Sequence, residues 1–190
     1  MTDGDGDAAG AMPERDPLAD LVSRSVGARV ESVAVEVLPA PLGVERKRLR
    51  FDTSRGATSA IFERRPRGDI LEAQLLPFLA RKTDRVPRVY SRGLPPPHAS
   101  LGPWLLLEDV LQAPTEDDIE AILQAKRAIE RAVAGDLPAL RALGVPGSGS
   151  VLVHGALTKE RTRRTERGVV ILDWGTAYLG AATDDERKVK

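Results

Sequence analysis

Apolar positions along the chain fall into two periods. Leu18, Leu21, Val22 and Val26 recur at helical spacing behind Asp16 and Pro17, a cap and a first-turn proline, and Gly27 supplies the stop. From Arg29 the period drops to two: Val33, Val35 and Val37 share a face, and residues 29–38 read as a strand. The turn Pro39-Ala40-Pro41-Leu42-Gly43 leads into a half-exposed strand over residues 46–52, where Arg48, Leu49, Arg50 and Phe51 alternate. Residues 53–56 reverse the chain into a third strand, 58–64, so an antiparallel meander is expected. Helical spacing returns over 69–82 through Leu71, Leu75, Phe78 and Leu79. Asp69 and Glu72 form a capping-box pattern there, and Pro77 predicts a kink. Strands follow over 86–91 and 104–107, separated by a proline-rich turn that carries His98 in an exposed, idle position. Thr115 to Asp118 caps a helix with Ile119, Ile122, Leu123, Ile129 and Val133 on one stripe, running to Gly135; residues 137–143 form a shorter one. The glycine-rich turn 144–150 is no P-loop, because no Lys-Ser or Lys-Thr follows and a strand comes next.

Two short apolar runs remain. Val151-Leu152-Val153 ends at His154, and Gly168-Val169-Val170-Ile171-Leu172 ends at Asp173. Each has the length and β-branched content of a buried strand. A carboxylate at the end of such a strand, with Gly175 close behind to let the chain turn, is one way to present a metal ligand at a cleft. The same residues also read as a hairpin with Asp173 as turn former.

Composition narrows the partners. The chain has 190 residues, enough for one domain or two small lobes, and its 28 basic side chains match its 28 acidic ones. No global charge points to nucleic acid or membrane. The absence of cysteine excludes disulfides and thiolate metal sites, and two histidines, His98 and His154, exclude multi-histidine zinc sites. No apolar run reaches the roughly 18 residues that span a bilayer. Residues 1–15 are acidic and Gly/Ala-rich and read as a disordered tail; the Asp-x-Asp-x-Asp within it lacks the later glutamate of a calcium loop. No secretion signal is legible, so a soluble, cytoplasmic protein is expected.

The order His154-Gly155-Ala156-Leu157, then a basic loop, then Ile171-Leu172-Asp173-Trp174-Gly175 resembles the aminoglycoside phosphotransferase and choline kinase branch of the protein-kinase-like fold. That family carries His-Gly-Asp-Leu-x-x-x-Asn before an apolar strand ending in Asp-Trp or Asp-Phe. The resemblance implies an α+β, two-lobed fold: a tail at 1–15, an N-lobe with an antiparallel sheet at 16–110, and a reduced helical C-lobe at 111–190. It implies ATP and Mg2+ as cofactors, Asp173 as the magnesium ligand, and adenine read by the hinge backbone around Glu108 and Val110. Arg64 or Arg65 is a candidate phosphate ligand, and Glu72 either pairs with Arg64 or serves as a helix cap. His154 has a structural role beneath the strand that ends at Asp173. Asp185 either braces the catalytic loop or is an exposed tail acid.

Three positions depart from the pattern. Ala156 stands where the catalytic aspartate belongs, Arg161 where the asparagine belongs, and Glu63 on or beside the phosphate lysine. A methyl group accepts no proton and a guanidinium repels a cation; loss of a general base alone costs about 10²–10⁴-fold. Glu160 carries the nearest carboxylate, one residue off register. Fifteen residues follow Gly175, so the family's C-terminal helices are missing, leaving a shortened relative or one whose lobe a partner protein completes. The leading expectation is a degenerate member that binds ATP and Mg2+ with little or no transfer. An active small-molecule kinase using Arg64 and Glu160 is one alternative. A non-nucleotide interaction module using the basic loop 159–167 is the other; that loop is either an anion site or a solvated hairpin.

Overall fold

The computed structural model describes residues 16–96, 99–112 and 118–186. The tail at 1–15, His98 and the Thr115 cap fall outside them. Helix α1 (Pro17–Val26) begins as the sequence expects: Asp16 Oδ1 accepts from the Leu18 N–H at 2.9 Å, and Gly27 closes the helix at φ 67°. Strands β1 (Ala34–Val37), β2 (Glu45–Thr53) and β3 (Gly56–Arg64) form the meander. After α2 (Leu71–Ala80) come β4 (Val89–Gly93) and β5 (Trp104–Glu108), completing an antiparallel five-stranded sheet in the order β1-β2-β3-β5-β4.

Strand parity divides the sheet into two faces. Leu49, Phe51, Ala60, Phe62 and Leu106 pack with Ala19 and Val22 of α1 in one core. Ile61, Leu105 and Leu107 face the other way, into the core shared with Leu75, Leu76 and Leu79 of α2. Glu63 shares that second parity and is 4% exposed. β1 is shorter than its apolar pattern suggested and exposed at every residue, because it is an edge strand with β2 as its partner.

One feature of α2 differs from the sequence reading. The helix starts at Leu71, not Asp69; the capping box does not form, and Ile70 at the cap makes no side-chain hydrogen bond. Pro77 lies inside the helix, and its missing N–H leaves the Ala73 carbonyl open to a new donor. Arg92 of β4 donates to that oxygen at 3.0 Å.

The second half of the chain holds α3 (Ile119–Val133), α4 (Leu137–Ala142), β6 (Val151–Val153), β7 (Thr162–Thr165), β8 (Gly168–Ile171), β9 (Tyr178–Gly180) and α5 (Thr183–Glu186). The two apolar runs do not pair with each other. β6 pairs with β9, and β8 pairs with β7 through a tight hairpin, so Asp173 lies past the strand and not in a turn between the runs. Ile122, Ile129, Leu140, Leu152, Leu157, Ile171 and Trp174 join the α2 residues in one continuous core. No helix among the described residues is long and apolar enough to cross a membrane.

Candidate functional site

Asp173 follows β8 in the left-handed region, at φ 57° and ψ 61°. It is the one non-glycine residue at positive φ among the described residues. Aspartate tolerates this conformation better than most, and such strain persists where the surroundings over-determine it. They do so here. On one side, the buried His154 ring sets Nε2 2.6 Å from the Leu172 carbonyl. On the other, the Trp174 N–H donates to Glu72 Oε1 at 2.8 Å and the indole Nε1–H donates to the Ile171 carbonyl at 3.0 Å. The His154 and Trp174 rings meet edge to face at 4.8 Å.

His154 is held as rigidly as what it supports. Its Nδ1 accepts from the Ala156 N–H at 3.3 Å, so Nε2 carries the proton and donates to Leu172. Burial lowers its pKa below the usual 6.5, keeping the ring neutral. Asp185, fully buried on α5, accepts from the His154 N–H at 2.7 Å and the Gly155 N–H at 3.0 Å. These bonds fix the loop on which Ala156 sits.

The Asp173 carboxylate meets a guanidinium. Arg46 of β2 donates from Nη2 to Asp173 Oδ1 at 3.0 Å and contacts Glu63 Oε2 at 2.7 Å. Arg46 and Glu63 are direct cross-strand neighbours in the β2–β3 register. Burial works against the Arg46 charge, but Glu63 and Asp173 outweigh it and raise its pKa. Behind this pair, Arg65 reaches Glu63 at 2.8 Å, Asp69 at 3.3 Å, and Glu72. Burial pushes the Glu72 carboxyl up to about 8; the Arg65 charge pulls against it, and Glu63 and Asp173 push with it. The partner of Glu72 is therefore Arg65, not Arg64. Parity is the cause: residue 65 shares the face of Glu63, whereas Arg64 points to the opposite face, where it pairs with Glu45 at 3.0 Å and lies over the Phe62 ring.

A cavity of about 300 Å³ joins this network to the end of β5. Glu63, Glu72 and Asp173 line it together with Glu108, Asp109 and Val110, while Arg64, Ala156 and Arg161 are not among its lining residues. The Glu108 N–H donates to the Arg88 carbonyl at 2.9 Å, and its carboxylate pairs with Arg167. Asp109 accepts from Arg48 Nε and Ser59 Oγ, both at 2.7 Å. Arg161 lies in the single turn Lys159–Arg161, and its carbonyl accepts from the Leu172 N–H at 2.8 Å. Glu160 and Arg163 line the cavity instead. Arg46 was not legible as a site residue from motifs, and Arg65, an alternative to Arg64 as phosphate ligand in the sequence, instead pairs with Glu63 and Glu72. The signal for both arginines lay in strand parity and register, which place positions 46, 63 and 65 on one face.

No protein-family model matches the chain, and no curated protein matches it in sequence. Solved structures do match in shape. An amicoumacin kinase in complex with AMP-PNP, Ca2+ and Ami has a TM-score of 0.56 at 11% identity, over 82% of this chain and 62% of its own length. A thermostable mutant of aminoglycoside phosphotransferase APH(4)-Ia, in complex with ADP and hygromycin B, has a TM-score of 0.53 at 11% identity, over 91% of this chain and 76% of its own. A Haemophilus somnus 129PT protein designated a fructosamine-3-kinase has a TM-score of 0.53 at 14% identity, over 88% and 74%. The chain thus spans less than two thirds of the amicoumacin kinase and about three quarters of the other two. These likenesses identify an α+β, protein-kinase-like fold, with the five-stranded antiparallel sheet as its N-lobe and a small helical C-lobe.

Proposed function

We propose that this chain is a phosphotransferase-like protein whose cleft binds an adenine-containing ligand at the hinge and transfers phosphoryl groups little or not at all. One observation carries the reading: a single cavity joins Asp173, at the end of β8, to the Glu108–Val110 segment at the end of β5. In a kinase-like fold that is where adenine and phosphates would lie. The cavity's size is at the lower end for small-molecule sites. Two of the similar solved structures hold AMP-PNP or ADP, which supports a nucleotide class of ligand.

The chemistry beside Asp173 argues against efficient transfer. Phosphoryl transfer depends on placed charge and an oriented nucleophile. Ala156 supplies no base, and Arg161 no neutral metal-binding oxygen. Magnesium would need several oxygen donors in near-octahedral array. Asp173 is instead paired with Arg46, so the carboxylate that matches the metal position is not free for a cation, and the donor set does not fit Mg2+.

A transfer-active reading rests on Glu160, which lines the cavity as an exposed carboxylate. The basic loop is weakened as a separate interaction module, because Arg164 pairs with Asp118 and Arg167 with Glu108 inside the protein. Thermal shift with adenosine and with ATP, each with and without Mg2+, combined with a phosphate-release assay over a panel of alcohols, separates these readings. A rise in melting temperature with an adenine ligand and no release above buffer is expected. Sustained release that falls with Glu160→Gln would establish the active reading. No rise with any adenine ligand would remove the nucleotide cleft.

A further inference from the structure

The cavity's charge and roof select among adenine ligands. Its lining carries six carboxylates against three guanidinium groups. Two of those guanidiniums are already engaged: Arg46 by Glu63 and Asp173, and Arg48 by Asp109 and Glu36. The third, Arg163, donates to the Glu160 and Thr162 carbonyls at 2.8 and 2.6 Å, and Glu160 beside it also lines the cavity. Where a polyphosphate would extend, Glu63 and Asp173 already take up the cations Arg46 and Arg65, and the Glu72 carboxyl, protonated near neutral pH, adds no positive charge. A phosphate chain there must displace a carboxylate from its guanidinium or sit against it as like charge.

The two residues of the overlying segment that line the cavity, Leu38 and Pro39, give phosphates no free backbone donor. A phosphate-cradling loop works by aiming consecutive backbone N–H groups at the anion. Here the β1–β2 connection presents Leu38 and Pro39 to the cavity. Pro39 and Pro41 have no N–H. The Leu38 N–H is committed to the Arg46 carbonyl at 2.9 Å and the Val44 N–H to the Pro41 carbonyl at 3.0 Å. Leu38 and Pro39 from this segment, with Ile61, Leu76, Leu107 and Leu172, make an apolar slot for a flat heterocycle.

We infer that the cleft takes a purine nucleoside without a polyphosphate, and takes it without a divalent cation. The Arg46 guanidinium already neutralises Asp173, the carboxylate a metal would otherwise need. This rests on the adenine-cleft reading above and narrows it to a substrate class.

Isothermal titration of the full chain with adenosine and with ATP, in EDTA and in excess Mg2+, tests it. Adenosine should bind with the same affinity in both buffers and at least about tenfold more tightly than ATP in EDTA, a modest part of the like-charge cost. Glu63→Gln should narrow that ratio several-fold by removing one buried negative charge. ATP binding more tightly than adenosine, or adenosine binding only with Mg2+, overturns the inference and leaves the adenine cleft standing. A Glu63→Gln ratio identical to wild type also overturns it. Failure of both ligands in both buffers removes the cleft and this inference together.

Discussion

Arg46 and Asp173 are 127 positions apart in sequence and 3.0 Å apart in the fold. Their pairing closes the cleft from inside: a guanidinium from β2 reaches the carboxylate that follows β8, and the same group holds Glu63 on β3 at 2.7 Å. Sheet and strand end are locked by one side chain.

Removing that side chain should leave nearly buried Glu63 next to Glu72 and Asp173 with one fewer cation. Breaking a buried ion pair by deleting one partner costs about 3–5 kcal/mol. Arg46 is 24% exposed at its side chain, so solvent moderates the loss. Urea denaturation of Arg46→Ala should show a destabilisation of about 1–3 kcal/mol. Arg46→Lys should recover part of it, because an ammonium can hold one carboxylate well but not present a guanidinium's fork to two.

Glu72 should give stability an unusual pH dependence. Its folded pKa, about 8, lies above the ordinary 4.5, so the folded state holds the proton more tightly than the unfolded chain. Its contribution is complete below about pH 4.5 and is lost as pH rises toward 8. His154 acts with the opposite sign: burial lowers its pKa, so its contribution is complete above 6.5 and falls as pH drops below that value. Between pH 6.5 and 8 the Glu72 effect should therefore be visible without that of His154. Stability there should fall with a slope of at most about 1.4 kcal/mol per pH unit. Glu72→Gln retains an acceptor for the Trp174 N–H and should flatten this slope in chemical denaturation. An unchanged slope would mean that Glu72 does not titrate in that range.

Asp185 should matter for stability more than its place near the end of the described chain suggests. Asp185→Ala orphans the buried N–H groups of His154 and Gly155, at about 1–3 kcal/mol each. Asp185→Asn keeps one acceptor oxygen and should cost about half as much. Gly155→Ala attacks the same loop differently. Gly155 sits at φ 82°, and a Cβ there would collide with the Thr176 carbonyl oxygen. A loss of about 1–3 kcal/mol is expected. Equal stability of all three variants and wild type in guanidinium titrations would deny the loop its bracing.

Restoring motif residues should not restore chemistry. Ala156→Asp with Arg161→Asn supplies the base and the neutral oxygen that this chain lacks against the family pattern. Asp173 would still be held by Arg46, and Glu63 would still line the cavity beside it. Phosphate release by the double variant should stay at background. Turnover in that variant would mean that Arg46 leaves Asp173 readily and that the rest of the cleft is competent.

Motifs and periodicity carried the architecture further than they carried the site. The meander, α2, the strand at 104–107 and the order of His154 and Asp173 are written locally, in alternation, apolar stripes and short motifs. What failed locally was Glu72. Its spacing from Asp69 spells a cap, yet the carboxylate bonds the Trp174 backbone, a partner 102 positions away. No local pattern encodes that contact; it arises when α2 docks on the end of β8. Arg46, and the carboxylate partners of Arg65, were hidden for a related reason. Each arginine reads as an exposed strand charge until the β2–β3 register sets it opposite or beside Glu63. Arg64 shows the reverse error: one step along a strand moves a side chain to the other face.

The most direct test follows backbone and Arg46 Nε–H signals in ¹H–¹⁵N correlation spectra during an adenosine titration in EDTA. Saturable shifts centred on Glu108, Asp109 and Val110, with the Arg46 Nε–H retained in its paired state, are the expected result. Saturating adenosine without movement at those three amides, or shifts confined to a surface remote from Asp173, would contradict a ligand cleft closed from within by Arg46.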